Sequence, residues 1–179
     1  MDVRRILIPI SIIMLLIGCS AKQDTSEKIE RIAAESGYMV EEGDGGYSLL
    51  KDNTEIAIEN RGNRVSLQSV KVEVISKKKS DNQENTGTLQ IVPVNNSEIE
   101  VYLDYESPLN SGRTFPGKIF ITCDYEFDYI QNHSRDALAK FEKYYYNITN
   151  NWATKEELQS IYHGAREVVD EINDGLNDN

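Results

Sequence analysis

Cysteine, proline and tryptophan are scarce in this sequence, and basic residues are outnumbered. Its 179 residues include two cysteines, four prolines and one tryptophan, so stability must come from packing rather than from a disulfide framework. Lysine and arginine total 19 against 30 aspartate and glutamate residues, which gives a net charge of −11. A chain this acidic should not bind nucleic acid, and basic proteins or cations suit it better as partners.

The motifs of several enzyme classes are also missing. No G-x-S-x-G, P-loop or G-x-G-x-x-G sequence occurs, and the two histidines, His133 and His163, do not stand in a metal-ligand spacing. Residues 76–79 and 80–82 match S-x-x-K and S-D-N, but they abut in one polar stretch and K-T-G is missing. The sequence therefore predicts a protein that is not an enzyme and that holds no metal or dissociable cofactor.

The sequence also lacks a long apolar run. Its main apolar stretch is short and lies near the N-terminus. Arg4 and Arg5 precede the apolar stretch 6–17, which Pro9 and Ser11 interrupt. A membrane-spanning helix needs about 20 apolar residues, so this stretch is too short to cross a bilayer. Positive charge before a short apolar segment is typical of a secretory signal peptide.

The predicted signal peptide, residues 1–18, leads into Leu16-Ile17-Gly18-Cys19. These four residues resemble the lipobox of bacterial lipoproteins, in which an aliphatic, a variable and a small residue precede an obligatory cysteine. The resemblance implies a diacylglyceryl thioether on Cys19 as the only attached group, and cleavage between Gly18 and Cys19 by signal peptidase II. The alternative is that Cys19 is an incidental residue at the end of an uncleaved anchor.

Lipidation would hold the chain on the extracytoplasmic side of the cell membrane, since each buried CH₂ of an acyl chain adds about 0.8 kcal/mol. Ser20 stands where Gram-negative lipoproteins retained at the inner membrane carry aspartate, so an outer membrane is the expected location if the source has one. Residues 19–24 form the lipidated tether, and its five residues after Cys19 reach about 18 Å. Only Cys123 then remains as a thiol, which excludes an intrachain disulfide.

The remaining residues, 25–179, are predicted to form a single acidic α+β domain. A helix begins at Asp24, where Glu27 completes a capping box, and ends near Gly37. Two more helices are predicted over 134–147 and 154–174. Between the first helix and this C-terminal pair lie six strand-like stretches, 46–50, 54–60, 64–76, 88–94, 98–106 and 118–130, with polar loops at 77–87 and 107–117. We therefore expect an antiparallel sheet of five or six strands, with the N-terminal helix and the C-terminal helix pair packed on it.

Three local features refine this expectation. The apolar residues change phase within 64–76, which predicts a β-bulge near Gln68-Ser69. Pro93 cannot donate a ladder hydrogen bond, so its strand is expected at a sheet edge. Cys123 falls on the apolar side of the last strand and should pack in the core as a small hydrophobic residue.

Acidic residues occupy the outward side of the last two predicted strands, around Tyr102. With Tyr102, the predicted binding face comprises Glu98, Glu100, Asp104, Asp124, Glu126 and Asp128. If the two strands pair directly, Glu100 should lie near Asp124 and Glu98 near Glu126. Like charges opposite each other destabilise a sheet, so a cation, a basic partner or lysines from elsewhere would have to compensate. The alternative is a solvated outer face on strands that are not adjacent.

Aromatic residues gather near the junction of the two C-terminal helices, among them Tyr145 and Trp152. Such rings can stack on the sugar rings of a cell-wall glycan, which makes Tyr145 and Trp152 candidate glycan contacts. The alternative is that these rings pack the helix junction, because large aromatic side chains dominate protein cores.

Together these patterns predict a membrane-anchored envelope lipoprotein that acts as a non-enzymatic binding module for a basic protein, of the inhibitor or immunity type. Complementary charge on the acidic sheet face would speed that encounter. A cell-wall or glycan-binding accessory lipoprotein is the alternative, and an enzyme is the third class. No pattern in the sequence assigns an oligomeric state.

Overall fold

The computed structural model describes residues 25–77, 84–108, 114–129, 135–149 and 155–178. Helix α1 covers residues 25–35, and α2 (Arg135–Thr149) and α3 (Lys155–Asn177) follow the sheet. The strands are β1 (Met39–Gly43), β2 (Gly46–Lys51), β3 (Thr54–Asn60), β4 (Val65–Lys77), β5 (Glu84–Pro93), β6 (Glu98–Pro108) and β7 (Thr114–Asp124). The predicted signal peptide and the tether, including Gly18 and Cys19, lie outside the described residues.

The strands form one antiparallel sheet in chain order, from β1 at one edge to β7 at the other. Each strand pairs with the one before it, as short connections favour. The predicted α+β class, with an N-terminal helix and a C-terminal helix pair, is confirmed. The predicted count of five or six strands is wrong, because the described residues form seven.

Strand β1 is the one that the sequence pattern missed. Glu41 and Glu42 are both exposed, and Val40 alone is half-buried, so the strand lacks the apolar alternation that marks a half-buried strand. A tight turn at Asp44-Gly45 pairs it with β2, and Gly45 has a φ of 87°, in the left-handed region that favours glycine. As an edge strand, β1 can carry charged side chains on both faces.

Both predicted loops are shorter than expected because the strands beside them are longer. β5 begins at Glu84, inside the predicted loop 77–87, and β7 begins at Thr114, inside the predicted loop 107–117. The added residues are Glu-Asn-Thr-Gly in β5 and Thr-Phe-Pro-Gly in β7, and neither stretch has the apolar alternation that marks a strand in the sequence. β7 also ends at Asp124, so the predicted strand 118–130 was placed too far along the chain.

The bulge prediction is confirmed, and the edge prediction for Pro93 is wrong. Ala57 pairs with Ser69 while Ile58 pairs with Leu67, which leaves Gln68 as the extra residue of β4. Pro93 lies in β5, between β4 and β6, where it is the last residue of the strand and stands opposite Ile99. Its position at the end of the ladder explains why an interior strand tolerates it.

The core lies between the helices and one face of the sheet. Alternate residues of each central strand are buried there, including Leu49, Ile56, Val70, Leu89, Ile91, Ile99, Val101, Leu103, Ile121 and Cys123. Helical residues close over them, among them Ile29, Ala33, Phe141, Leu158, Tyr162 and Ile172. Burying one such large apolar side chain stabilises the fold by about 1.5–3 kcal/mol. The predicted core position of Cys123 is confirmed, since it is fully buried.

Helix α1 packs against the C-terminal part of α3, in the opposite direction. The Ser36 hydroxyl donates to the Glu171 carboxylate at 3.0 Å, and the Ile32 side chain lies against Gly175, where an added β-carbon would be 2.4 Å from Ile32 Cδ1. Because α1 and α3 run in opposite directions, residue 25 lies at the C-terminal end of α3. The tether would join the domain there.

Candidate functional site

The sheet face opposite the helices presents the acidic side chains that the sequence singled out. In β6, Ile99, Val101 and Leu103 point into the core, so the intervening residues point away from the helices. Those outward side chains are half-buried or exposed, and they are Glu98, Glu100, Tyr102, Asp104 and Glu106. The outward orientation predicted for this strand is confirmed.

Strands β6 and β7 are direct neighbours, with a register that differs from the predicted one. Glu98 stands opposite Asp124, and Glu100 stands opposite Thr122. The predicted pairs, Glu100 with Asp124 and Glu98 with Glu126, are therefore wrong by two residues. The hairpin closes at Pro108 and Thr114 rather than near residue 117, and this shorter connection sets the register.

Lys118 supplies part of the compensation that this acidic face requires. Its Nζ lies 3.4 Å from the Asp104 carboxylate and 4.9 Å from the centre of the Tyr102 ring. The Tyr102 hydroxyl donates to the Glu100 carboxylate, and this hydrogen bond is the main cause of the raised pKa of Tyr102, with burial second. The Tyr102 ring also lies 5.6 Å from Phe120, whose side chain is 47% exposed.

A groove of about 650 Å³ lies on this face, across strands β4 to β7. Three carboxylates line it against one lysine, and the lining side chains on this face are Glu73, Ile75, Thr86, Thr88, Asp104, Glu106 and Lys118. Ile75 is 56% exposed, so an apolar side chain stands among the charges. We call this site the acidic groove.

Among the residues of the acidic groove that the sequence pattern did not assign to a site are Glu73 and Ile75 of β4. Both follow from the phase of β4, since Val70, Val72 and Val74 face the core and the residues between them must face outward. What the sequence could not supply is their closeness to Glu106, which depends on the pairing of β4 with β5 and of β5 with β6.

Two members of the predicted binding face leave the sheet. After Asp124 the chain turns, and the Asp124 carboxylate accepts hydrogen bonds from the backbone N–H groups of Glu126 and Asp128 at 3.0 and 2.8 Å. Phe127 has a φ of 57° in this turn, and its ring is fully buried. The Asp128 carboxylate instead pairs with Lys155 at 2.5 Å, and this hydrogen bond raises the pKa of Lys155. Glu126 and Asp128 therefore belong to a turn beside α3 and not to the strand face.

The aromatic residues proposed for glycan contact do not form a described surface. Tyr145 is only 3% exposed and stacks on Phe141 at 6.1 Å, and its hydroxyl donates to Glu157 at 2.9 Å. Burial, followed by this hydrogen bond, raises the pKa of Tyr145. Its ring is a core group and offers no stacking face, while Trp152 lies outside the described residues.

The remaining reactive side chains have structural surroundings. Burial raises the pKa of the Cys123 thiol to about 12, which makes the thiolate a minor species at neutral pH. A ring nitrogen of His163 lies 3.2 Å from the Tyr125 carbonyl oxygen, beside α3. Within the described ranges, no group of three or more His, Cys, Asp or Glu side chains is arranged to hold a metal ion. His133 lies outside those ranges.

None of the described helices is long and apolar enough to span a membrane. Comparison of the chain with models of protein families, with curated proteins and with solved structures finds no match.

Proposed function

We propose that this chain is a membrane-anchored lipoprotein of the bacterial envelope that binds a basic protein through the acidic groove and the sheet face around it. The acidic groove carries the proposal, because Glu73, Asp104 and Glu106 face one lysine across it. A partner that presents lysine and arginine would pair with these carboxylates, while Ile75 and Phe120 supply apolar contact.

The spread of the carboxylates favours a macromolecule over a single cation. Glu73 lies on β4 and Glu106 on β6, two strands away. Neighbouring strands are about 4.8 Å apart, so the groove extends over roughly 10 Å between these two strands. Within the described residues, these carboxylates are not part of any group of three or more His, Cys, Asp or Glu side chains arranged to hold a metal ion.

The net charge of the chain also supports the proposed inhibitor or immunity role at a membrane. A chain with a net charge of −11 attracts basic proteins at a distance, which raises the association rate at low salt. Lipid attachment at Cys19 would keep the complex at the membrane, so a basic enzyme or toxin would be captured before it reached its target.

Photocrosslinking in cells tests where the partner binds. A photoreactive amino acid replaces Ile75 in the acidic groove or, as the matched control, Met39 in β1, whose side chain is 71% exposed. We expect the position 75 variant to form an adduct with a basic protein and the position 39 variant to form none. Equal adducts at both positions, or an acidic partner at position 75, would contradict the proposal.

Charge removal tests the mechanism on the partner so identified. The groove triple variant Glu73→Gln/Asp104→Asn/Glu106→Gln is compared with Glu35→Gln/Glu167→Gln/Asp174→Asn, which removes equal charge from exposed helix positions. We expect the groove variant to weaken binding by about tenfold or more, equivalent to 1.4 kcal/mol, and the helix variant to lose far less. Affinity that does not fall with rising salt would refute a charge-driven interface.

A further inference from the structure

A second groove of about 280 Å³ has the opposite charge. It lies between the β3–β4 connection and α3, and Arg61, Arg64 and Arg166 line it together with Asp170 and Asn173. Three of the lining residues are arginines, although the whole chain has a net charge of −11. We call this site the arginine groove.

Within the described part of the chain, two of these three guanidinium groups have no carboxylate partner. Arg61 pairs with Glu59 at 2.9 Å, whereas Arg64 and Arg166 make no ion pair with any residue in the described part of the chain. The Arg166 guanidinium lies 5.6 Å from the centre of the Tyr125 ring, a cation–π contact that orients it without neutralising it. Unpaired guanidinium groups around one concavity are suited to phosphate, whose oxygens match their paired N–H groups.

The backbone around the arginine groove is held firmly. The Arg61 N–H donates to the Arg64 carbonyl at 2.8 Å, which closes the connection into a tight turn. Within it, the Gly62 N–H donates to the Asn60 side chain at 2.9 Å, and Gly62 has a φ of 88°. The floor is the buried Asn173 amide, which is hydrogen-bonded to Val65. The turn that carries Arg61 and Arg64 and the helix that carries Arg166 therefore hold the backbones of these residues at fixed positions.

The arginine groove also lies near the point where the tether would join the domain. Its α3 residues run from Arg166 to Asn173, about 14 and 3 Å along the helix before Gly175, and Gly175 lies against Ile32 of α1. Residue 25 is seven residues before Ile32, or about 10 Å along a helix. The tether would reach about 18 Å further, so a membrane that held Cys19 would lie close to this end of α3.

We propose that the arginine groove binds a phosphate oxyanion, supplied by the headgroup of an anionic phospholipid in the membrane that holds Cys19. The headgroup as the source rests on the lipid anchor of the proposed function, whereas the oxyanion site itself does not. A local positive site would turn this end of the acidic domain towards the anionic surface and leave the acidic groove, on the opposite face from the helices, available to its partner.

Inorganic phosphate tests the oxyanion site on the full chain in a nonionic detergent. The side-chain Nε–H signals of arginine are followed by NMR during titration with phosphate or, at equal ionic strength, with chloride. We expect phosphate alone to shift the signals of Arg64 and Arg166. In Arg64→Gln/Arg166→Gln the Kd for phosphate should rise by about tenfold or more, as loss of charged hydrogen bonds implies.

Arg31→Gln, an exposed arginine on α1, is the matched control and should bind phosphate like the wild type. Equal shifts with phosphate and chloride, or equal losses in the control and the double variant, would overturn the oxyanion site. Arg64→Gln alone gives a second test, because this side chain is exposed in a connection and its loss leaves the core intact.

Vesicles test the source of the phosphate. The lipidated chain is placed in vesicles of phosphatidylglycerol with phosphatidylcholine, or of phosphatidylcholine alone, and amide hydrogen exchange is measured over residues 61–67. Amide exchange that is slower with phosphatidylglycerol in the wild type, but not in the Arg64→Gln/Arg166→Gln variant, supports the headgroup as the source of the phosphate. Phosphate binding without this protection overturns the headgroup and assigns the site to soluble phosphate. Vesicle flotation reports the anchor separately, and neither measurement depends on the acidic groove or its partner.

Discussion

The side-chain amide of Asn173 in α3 forms two hydrogen bonds with the backbone of Val65 at the start of β4. The Val65 N–H donates to Oδ1 at 2.8 Å, and Nδ2 donates to the Val65 carbonyl at 3.1 Å. β5 pairs with β4 only from Val70 onward, so no strand of the described chain lies beside this backbone segment on that side. One buried side chain thus replaces a neighbouring strand and joins the last helix to the sheet.

We predict that Asn173→Ala lowers the free energy of unfolding by about 2–3 kcal/mol, because it leaves a buried N–H and a buried carbonyl unpaired. The melting temperature should fall by roughly 4–10 °C for a domain of this size. Urea unfolding gives the comparison, with Asp174→Ala as the control at the adjacent exposed position. A similar loss in both variants would mean that the Asn173 hydrogen bonds contribute little.

Gly117 in β7 has no room for a side chain, because a β-carbon would overlap the Tyr105 ring. That ring stacks on Tyr144 at 4.3 Å and cannot move without disturbing α2. We expect Gly117→Ala to destabilise the protein by about 1–3 kcal/mol. Gly164→Ala in α3 should instead stabilise it by about 0.5–1 kcal/mol, since no described atom lies within 4 Å of the added β-carbon and alanine favours a helix. Thermal melts of both variants decide whether the two changes have opposite signs.

The same tyrosine-to-phenylalanine change should have opposite effects at Tyr47 and Tyr145. The Tyr47 hydroxyl is buried without a hydrogen-bond partner in the described chain, so Tyr47→Phe removes a desolvation cost and should stabilise by up to about 1 kcal/mol. The Tyr145 hydroxyl donates to Glu157, so Tyr145→Phe should destabilise by about 1–2 kcal/mol. Chemical denaturation of both variants measures the difference, and equal effects would disprove this account.

Alkaline pH should weaken the fold through Tyr129 and Cys123. Burial raises the pKa of both groups to about 12, from ordinary values of about 10 and 9. Their contribution to stability is therefore complete below the ordinary values and is lost as pH rises towards 12. We expect Tyr129→Phe to lose less stability than the wild type between pH 9 and 11, measured by urea unfolding. The two proteins should behave alike between pH 7 and 8.

Lys118 partly neutralises the acidic groove, so its removal should favour a basic partner. Its contact with Asp104 joins two side chains that are 56% and 51% exposed, and such pairs contribute less than about 1 kcal/mol to stability. Lys118→Gln should leave the melting temperature nearly unchanged and raise the association rate at low salt. Stopped-flow measurements compare it with Lys140→Gln on α2, where the lysine is also exposed. An unchanged rate would indicate that the partner binds elsewhere.

Local patterns predicted the elements whose side chains alternate or repeat clearly. The bulge of β4 followed from a change of apolar phase, and the outward row of β6 followed from strict alternation. β1 and the first residues of β5 and β7 gave no such signal, because they lack apolar alternation and pair through backbone hydrogen bonds. The edge prediction for Pro93 failed for a related reason. The cost of its missing ladder hydrogen bond depends on where the proline stands in the ladder and not on its presence alone.

By itself, the sequence determined the α+β class, the acidic outer face of β6 and the core position of Cys123, because each depends on the periodicity of a single segment. Only the tertiary structure decided the register between β6 and β7, which differs by two residues from the predicted one, the burial of Tyr145 and the Asn173–Val65 hydrogen bonds. It also placed Glu73 and Glu106 in one groove, and Arg64 and Arg166 in another. These residues are far apart in the chain, and their closeness depends on how hairpins and helices pack, which no local pattern encodes.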